Sequence, residues 1–100
     1  MKLLLCKRCS DVRALASDKY TVCRCRSSRG KYTENGLDAE FSGKHAVLLG
    51  FANGSLVSAL REDTKLGPDY GSAGEYGVRF EAFVIPQAAP TIKRLDKHSR

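Results

Sequence analysis

All four cysteines of this 100-residue chain fall near its start, as Cys6-Lys-Arg-Cys9, thirteen residues, then Cys23-Arg-Cys25. No other feature narrows the possible folds as much. A chain of this length buries a modest core, and small domains commonly need a staple. Two close thiol pairs a dozen residues apart have the spacing of a tetrahedral four-sulfur metal site. Sulfurs held at about 2.3 Å from one centre lie about 3.8 Å apart. Cysteines at i and i+2 of a flat strand share a face, but their β-carbons stand about 6.6 Å apart. The chain must therefore bend at Cys23–Cys25, with Arg24 pointing outward.

This pattern predicts an N-terminal zinc ribbon with Cys6, Cys9, Cys23 and Cys25 holding Zn²⁺. Two departures are visible: one residue, not two, separates the second pair, and Ser10 stands where glycine often follows a knuckle. Knuckle backbone N–H groups, with Lys7, Arg8, Arg24 and Arg26, would favour the thiolate forms. Tetrahedral S₄ suits iron as well as zinc. Two disulfides would need an oxidising compartment. A CxxC redox centre would open a helix after a longer strand than residues 1–5 provide, and would leave the second pair without a purpose. The opening MKLLLCKRC has only Leu3–Leu5 as an apolar run, short of the seven or so residues of a secretory h-region. No run approaches the length of a membrane span. A cytoplasmic setting with reduced thiols is expected.

Charge is unevenly spread. Residues 1–32 carry nine Lys/Arg against two Asp, while the whole chain carries +6. Four thiolates and one Zn²⁺ would lower that to about +4, so part of the basic excess balances the site. The basic set Lys7, Arg8, Arg13, Arg24, Arg26, Arg29 and Lys31 surrounds the predicted metal hairpin. Tyr20 and Tyr32 lie among these cations and could stack on exposed bases.

The rest reads as short strands. Leu3–Leu5, Val12–Leu15, Tyr20–Cys23 and Lys31–Glu34 are candidates, with Arg26–Gly30 a basic loop. Asn35-Gly36 signals a tight hairpin turn. It leads to a strand at Leu37–Phe41 with Leu37, Ala39 and Phe41 on one face. Ala46–Leu49 predicts a central strand. Ser55–Glu62 places Leu56, Val57 and Leu60 at helical spacing, with Asn53 or Ser55 as cap. Leu66–Gly77, rich in glycine, predicts a long loop carrying Tyr70 and Tyr76. Val78–Ile85 alternates most clearly as a strand, stopped by Pro86. The expected fold is α+β: a zinc ribbon over residues 1–32, extended by a small antiparallel sheet with one short helix over 33–86 in the same compact domain. A basic tail, extended or frayed, would cover 87–100.

The strings KLLLCKRCSDVRAL, CRCRSSRGKY and SGKHAVLLGFANGSLVSAL resemble small uncharacterised bacterial and phage proteins. These begin with a ribbon-like cysteine pattern and continue into a Gly-Phe-Ala-Asn-like turn. The likeness covers about residues 2–60. It implies a cytoplasmic, compact, zinc-ribbon-like protein and carries no catalytic residue with it.

Other chemistry is thin. GFANGS lacks the lysine of a P-loop and the full dinucleotide fingerprint, so an ordinary capped turn is expected. His45 and His98 have no partner at catalytic spacing. Glu34, Asp38 and Glu40 resemble a carboxylate cluster but fit a solvated strand face. With no convergent acid, base and nucleophile, a binding module and not an enzyme is expected. Its partner would be nucleic acid or a nucleoprotein complex met by the basic ribbon face. The alternative is a protein-binding adaptor or inhibitor, phage-encoded and directed at a host complex, using Tyr70 and Tyr76.

Overall fold

The computed structural model describes residues 1–96; His98 and the end of the basic tail lie outside them. The chain divides into two compact units. One comprises Met1–Gly50 and the segment from Val84 onward, the other Phe51–Phe83. The elements run β1 (Lys2–Cys6), β2 (Val12–Ala14), β3 (Thr21–Val22), β4 (Arg29–Tyr32), β5 (Ala39–Ser42), β6 (Ala46–Phe51), α1 (Asn53–Leu66), β7 (Ala82–Val84) and β8 (Ile92–Arg94). The fold is α+β, with one helix among the described residues. In place of the single antiparallel sheet expected there are two four-stranded sheets, ordered β2-β1-β6-β7 and β3-β4-β5-β8.

Alternation along the strands builds the core of the first unit. Leu4 on β1, Ala39 and Phe41 on β5, and Ala46 and Leu48 on β6 are buried together with Leu15, Ile85 and Ile92. They come from both sheets. β1 lies between β2 and β6, antiparallel to each, with Leu4 opposite Arg13 on one side and Leu48 on the other. In the second sheet β4 pairs antiparallel with β3 and β5.

Four expectations are corrected. The Asn35-Gly36 turn is wider than a two-residue hairpin, because Tyr32 pairs with Ala39. Asn35 Oδ1 accepts the N–H groups of Leu37 and Asp38 at 2.9 Å each and draws both into the loop. Leu37 is consequently 71% exposed and does not share the buried face of Ala39 and Phe41.

The helix is longer than Ser55–Glu62, and Ala52, which has no capping oxygen, is its N-cap. Ser55 Oγ instead accepts from the Glu81 N–H at 2.8 Å. Ala59 is buried, whereas Val57 and Leu60 are exposed.

Of Val78–Ile85 only Ala82–Val84 is strand, and all three residues are exposed. Phe80 is exposed and meets Phe51 edge-on at 5.1 Å, so its contact is aromatic and not part of a ladder.

The fourth correction is the C-terminal segment. Residues 92–94 are not a frayed extension but β8, which lies parallel to β5 with Ala39 opposite Ile92 and Phe41 opposite Arg94. Ile92 is buried. The Arg94 side chain is 7% exposed and lies over the Phe41 ring at 4.8 Å. Arg94 Nη1 donates to Gly43 O at 2.8 Å and to Asp96 Oδ1 at 2.9 Å. Asp96 Oδ2 in turn accepts the Gly43 N–H at 2.7 Å. A buried guanidinium is tolerated when it is paired and hydrogen-bonded, and here both partners bind the β5–β6 turn.

Candidate metal centre

Each cysteine pair sits at the turn of an antiparallel hairpin. Cys6 ends β1 and Cys9 lies in the turn toward β2; Cys23 and Cys25 lie between β3 and β4. The first turn is closed by Ser10 N–H donating to Cys6 O at 2.8 Å, the second by Arg26 N–H donating to Cys23 O at 2.9 Å. Ser10 (φ 60°) and Arg26 (φ 67°) are the non-glycine residues of the described chain with positive φ. Each directly follows the second cysteine of its pair. Glycine is the usual occupant of that left-handed position, and other residues there are strained. The missing knuckle glycines thus leave the turn shape intact.

The four sulfurs all lie within 4.8 Å of one another. Cys25 Sγ is 3.7 Å from Cys6 Sγ and 3.6 Å from Cys23 Sγ. These separations are close to the roughly 3.8 Å of thiolates sharing one tetrahedral ion and far from the roughly 2.05 Å of a disulfide. All four are free thiols, with Cys6 and Cys23 buried.

Nearby donors complete the site. Ser28 N–H donates to Cys23 Sγ at 3.3 Å. Ser27 Oγ is 3.0 Å from Cys25 Sγ and 3.4 Å from Cys6 Sγ. Burial pushes the Cys6 thiol up, but hydrogen bonds led by that of Ser27 outweigh it and bring the thiol down to about 5. The Ser27 hydroxyl and backbone also lower Cys25. Burial raises Cys9. This donor set fits a metal ion: four converging sulfurs, two already favoured as thiolates, with N–H and O–H donors behind them. The chain matches no protein family, no curated protein and no solved structure. The centre therefore rests on its own geometry.

Among the described residues the four cysteines are the only such cluster of possible metal ligands. His45 is not part of it; its carbonyl accepts the Lys7 N–H at 2.9 Å. The acidic residues do not converge either, since Glu40 accepts from Tyr20 Oη and Asp38 from Asn35.

The basic residues singled out by the sequence fall into three groups. Lys7 and Arg8 are exposed on the first turn. Arg13, Arg24 and Arg26 line an open hollow of about 530 Å³ against β3, joined there by Lys19. Arg29 and Lys31 stand side by side on β4 over the Tyr20 ring, at 4.9 and 5.0 Å. Tyr70 and Tyr76 belong to the second unit. There Tyr70 Oη donates to Tyr76 O at 3.0 Å, and Tyr76 is 83% exposed.

Sequence reasoning passed over Asp11, Lys19, Ser27, Ser28 and Gly43. Ser27 and Ser28 had a readable signal, since two hydroxyl residues directly after a cysteine pair can turn donors back onto sulfur. Asp11 had none, because its role is a contact across the two hairpins. Its Oδ2 accepts from Arg13 Nε at 2.6 Å and from the Arg24 N–H at 2.8 Å. Its backbone carbonyl accepts the Cys6 N–H at 3.0 Å. The Arg24 guanidinium returns a bond to Cys9 O at 2.8 Å.

The Arg13 hydrogen bond, followed by that of the Arg24 backbone, outweighs partial burial and lowers the Asp11 carboxyl. A carboxylate lowered in the folded state stabilises it above the usual carboxylate range, and that contribution is lost as pH falls through the lowered value. Asp11→Ala is expected to weaken metal retention by roughly ten-fold in chelator competition at neutral pH, the low end for residues supporting a metal ligand. The thermal-stability gap between the two proteins should close in acid. A gap independent of pH would show that the carboxylate charge is not what joins the hairpins.

No helix among the described residues is long and apolar enough to cross a membrane.

Proposed function

We propose that this is a non-enzymatic zinc-ribbon module of the reducing cytoplasm that contacts nucleic acid through the basic face around its metal turns. Four cysteines fill a tetrahedral coordination sphere, so a bound Zn²⁺ would hold the fold and keep no open position for substrate. Paired hairpin turns, their left-handed residues and the hydrogen bonds to sulfur support a ribbon. Zinc is preferred to iron because it needs only a tetrahedral cage and a structural role.

The observation that carries the choice of partner is the hollow that gathers Arg13, Lys19, Arg24 and Arg26, four cations against the one carboxylate, Asp11, that pairs with Arg13. Like charges drawn together create a field that attracts polyanions. Purified protein is expected to carry one zinc by native mass spectrometry. It should bind mixed-sequence oligonucleotides at low salt, with affinity falling steeply as salt rises. Absence of binding at low ionic strength rejects the nucleic-acid assignment and leaves the metal assignment standing.

A second reading, a protein-binding adaptor or inhibitor, is favoured by one feature of the second unit. Leu56, Leu60, Val78 and Phe80 line an apolar groove of about 250 Å³. A pull-down that returns one stoichiometric protein, lost in Leu60→Asp, would support it; a nuclease-free pull-down that yields nucleic acid alone would count against it.

A further inference from the structure

We infer that the hollow beside the second cysteine pair is a phosphodiester site that reads the nucleic-acid backbone by charge alone, without stacking on bases. This inference rests on the nucleic-acid reading above and specifies its chemistry. A nucleic-acid surface of basic and aromatic residues can work in two ways. Cations can neutralise phosphates, or exposed rings can stack on bases. The residues here choose between them.

The aromatic rings near the basic face are already engaged. Arg29 and Lys31 both stand over the Tyr20 ring, and its hydroxyl is held by Glu40 Oε1 at 2.7 Å. That hydrogen bond raises the Tyr20 hydroxyl above its usual range, so it stays protonated and the contact persists across ordinary pH. Tyr32 is packed against the core, and its hydroxyl accepts the Lys2 N–H at 2.7 Å. Tyr20 also lines the hollow, and a base stacking on a face that these two cations cover would have to displace them.

The cations of the hollow are differently placed. Arg24 is oriented by its bond to Cys9 O and by Asp11 at its backbone, which fixes the guanidinium relative to both hairpins. Arg26 follows Cys25 in a left-handed conformation. Arg13 is held by Asp11 at Nε while its side chain stays half exposed. Lys19 and Arg26 are exposed. At about 530 Å³ the hollow exceeds the size of one phosphate and suits a short run of backbone.

The test compares two oligonucleotides of equal length, one mixed in sequence and one fully abasic, by fluorescence anisotropy in low salt. Wild-type protein is expected to bind both within about two-fold. Arg24→Ala with Arg26→Ala should cost at least about ten-fold on both and flatten the salt slope by about 1.4, the loss of two contacts to a single strand. Lys44→Ala with Lys93→Ala removes the same charge from other exposed positions and should change affinity no more than about two-fold.

Lys19→Glu, which leaves the cysteine turns untouched, should weaken binding even if the double arginine variant loses metal. Inorganic tripolyphosphate should displace both oligonucleotides. No binding of either oligonucleotide overturns the parent reading and this inference together. Binding that drops by ten-fold or more on the abasic strand, or that ignores the hollow variants, overturns this inference and leaves the parent reading intact.

Discussion

Cys23→Ser is expected to abolish stoichiometric metal binding and, with it, the cooperative melting of the cysteine-bearing unit. Cys23 is 3% exposed and accepts the Ser28 N–H, so its replacement leaves three sulfurs, a shorter and poorer ligand, and an acceptor set further from the Ser28 N–H. Structural zinc contributes an apparent 10–16 kcal/mol or so to folding in small metal-bound peptides. A whole domain is typically stable by only about 5–15 kcal/mol. Losing one ligand of four therefore removes more than the usual margin.

Native mass spectrometry reports the metal, and circular dichroism against temperature reports the transition. Chelating the wild-type protein should reproduce the variant. If reduced, metal-free wild-type protein melts cooperatively at an unchanged temperature, the four cysteines are not what holds this unit together.

Gly43→Ala is expected to cost about 3 kcal/mol or more of stability and to release the metal far more readily to a chelator. Gly43 has φ 120°, a conformation that side-chain-bearing residues rarely adopt. A β-carbon there would sit 2.3 Å from Ser27 O and 2.9 Å from Ser28 Cα. Those are backbone atoms of the turn whose donors serve Cys6, Cys23 and Cys25, so relief of the clash must move the metal turn. Moving Gly43 instead is resisted by Asp96 and Arg94, which hold its N–H and carbonyl.

Gly36→Ala is the matching control. Gly36 also has positive φ (71°), but nothing lies within 4 Å of where its β-carbon would be. It should lose only the local strain of about 1 kcal/mol and no metal. Equal losses in the two variants would show that backbone strain alone, and not contact with the cysteine turn, explains the effect of Gly43.

The β8 strand and its arginine thus reach the metal centre through one glycine. Arg94 lies over Phe41, grips Gly43, and Gly43 abuts Ser27–Ser28. A segment that reads as an extended or frayed basic tail is part of what shapes the second hairpin turn. Lys93, its neighbour, is exposed and free of this network, which is why it serves as a charge control.

How much of this was legible in advance follows the range of each interaction. The bends at the cysteine pairs, the outward Arg24, and the strands at Leu3–Leu5, Val12–Leu15 and Ala46–Leu49 were readable, because sulfur spacing and side-chain alternation act over a few residues. Leu37 misled, because its alternation with Ala39 continued into a loop shaped by the Asn35 side chain. Val78–Ile85 misled because period-two alternation marks strand geometry without showing that a partner strand runs alongside its full length.

The amino-acid sequence by itself determined that four thiols would be brought to two tight turns and that cations would crowd around them, since ligand spacing and charge are local properties. Only the tertiary structure decided which cations share a hollow, that Tyr20 is covered by Arg29 and Lys31, and that Arg94 is buried against Gly43. Those outcomes depend on pairings such as Phe41 with Arg94, whose register requires both distant segments to be in place. No short window of residues records that pairing.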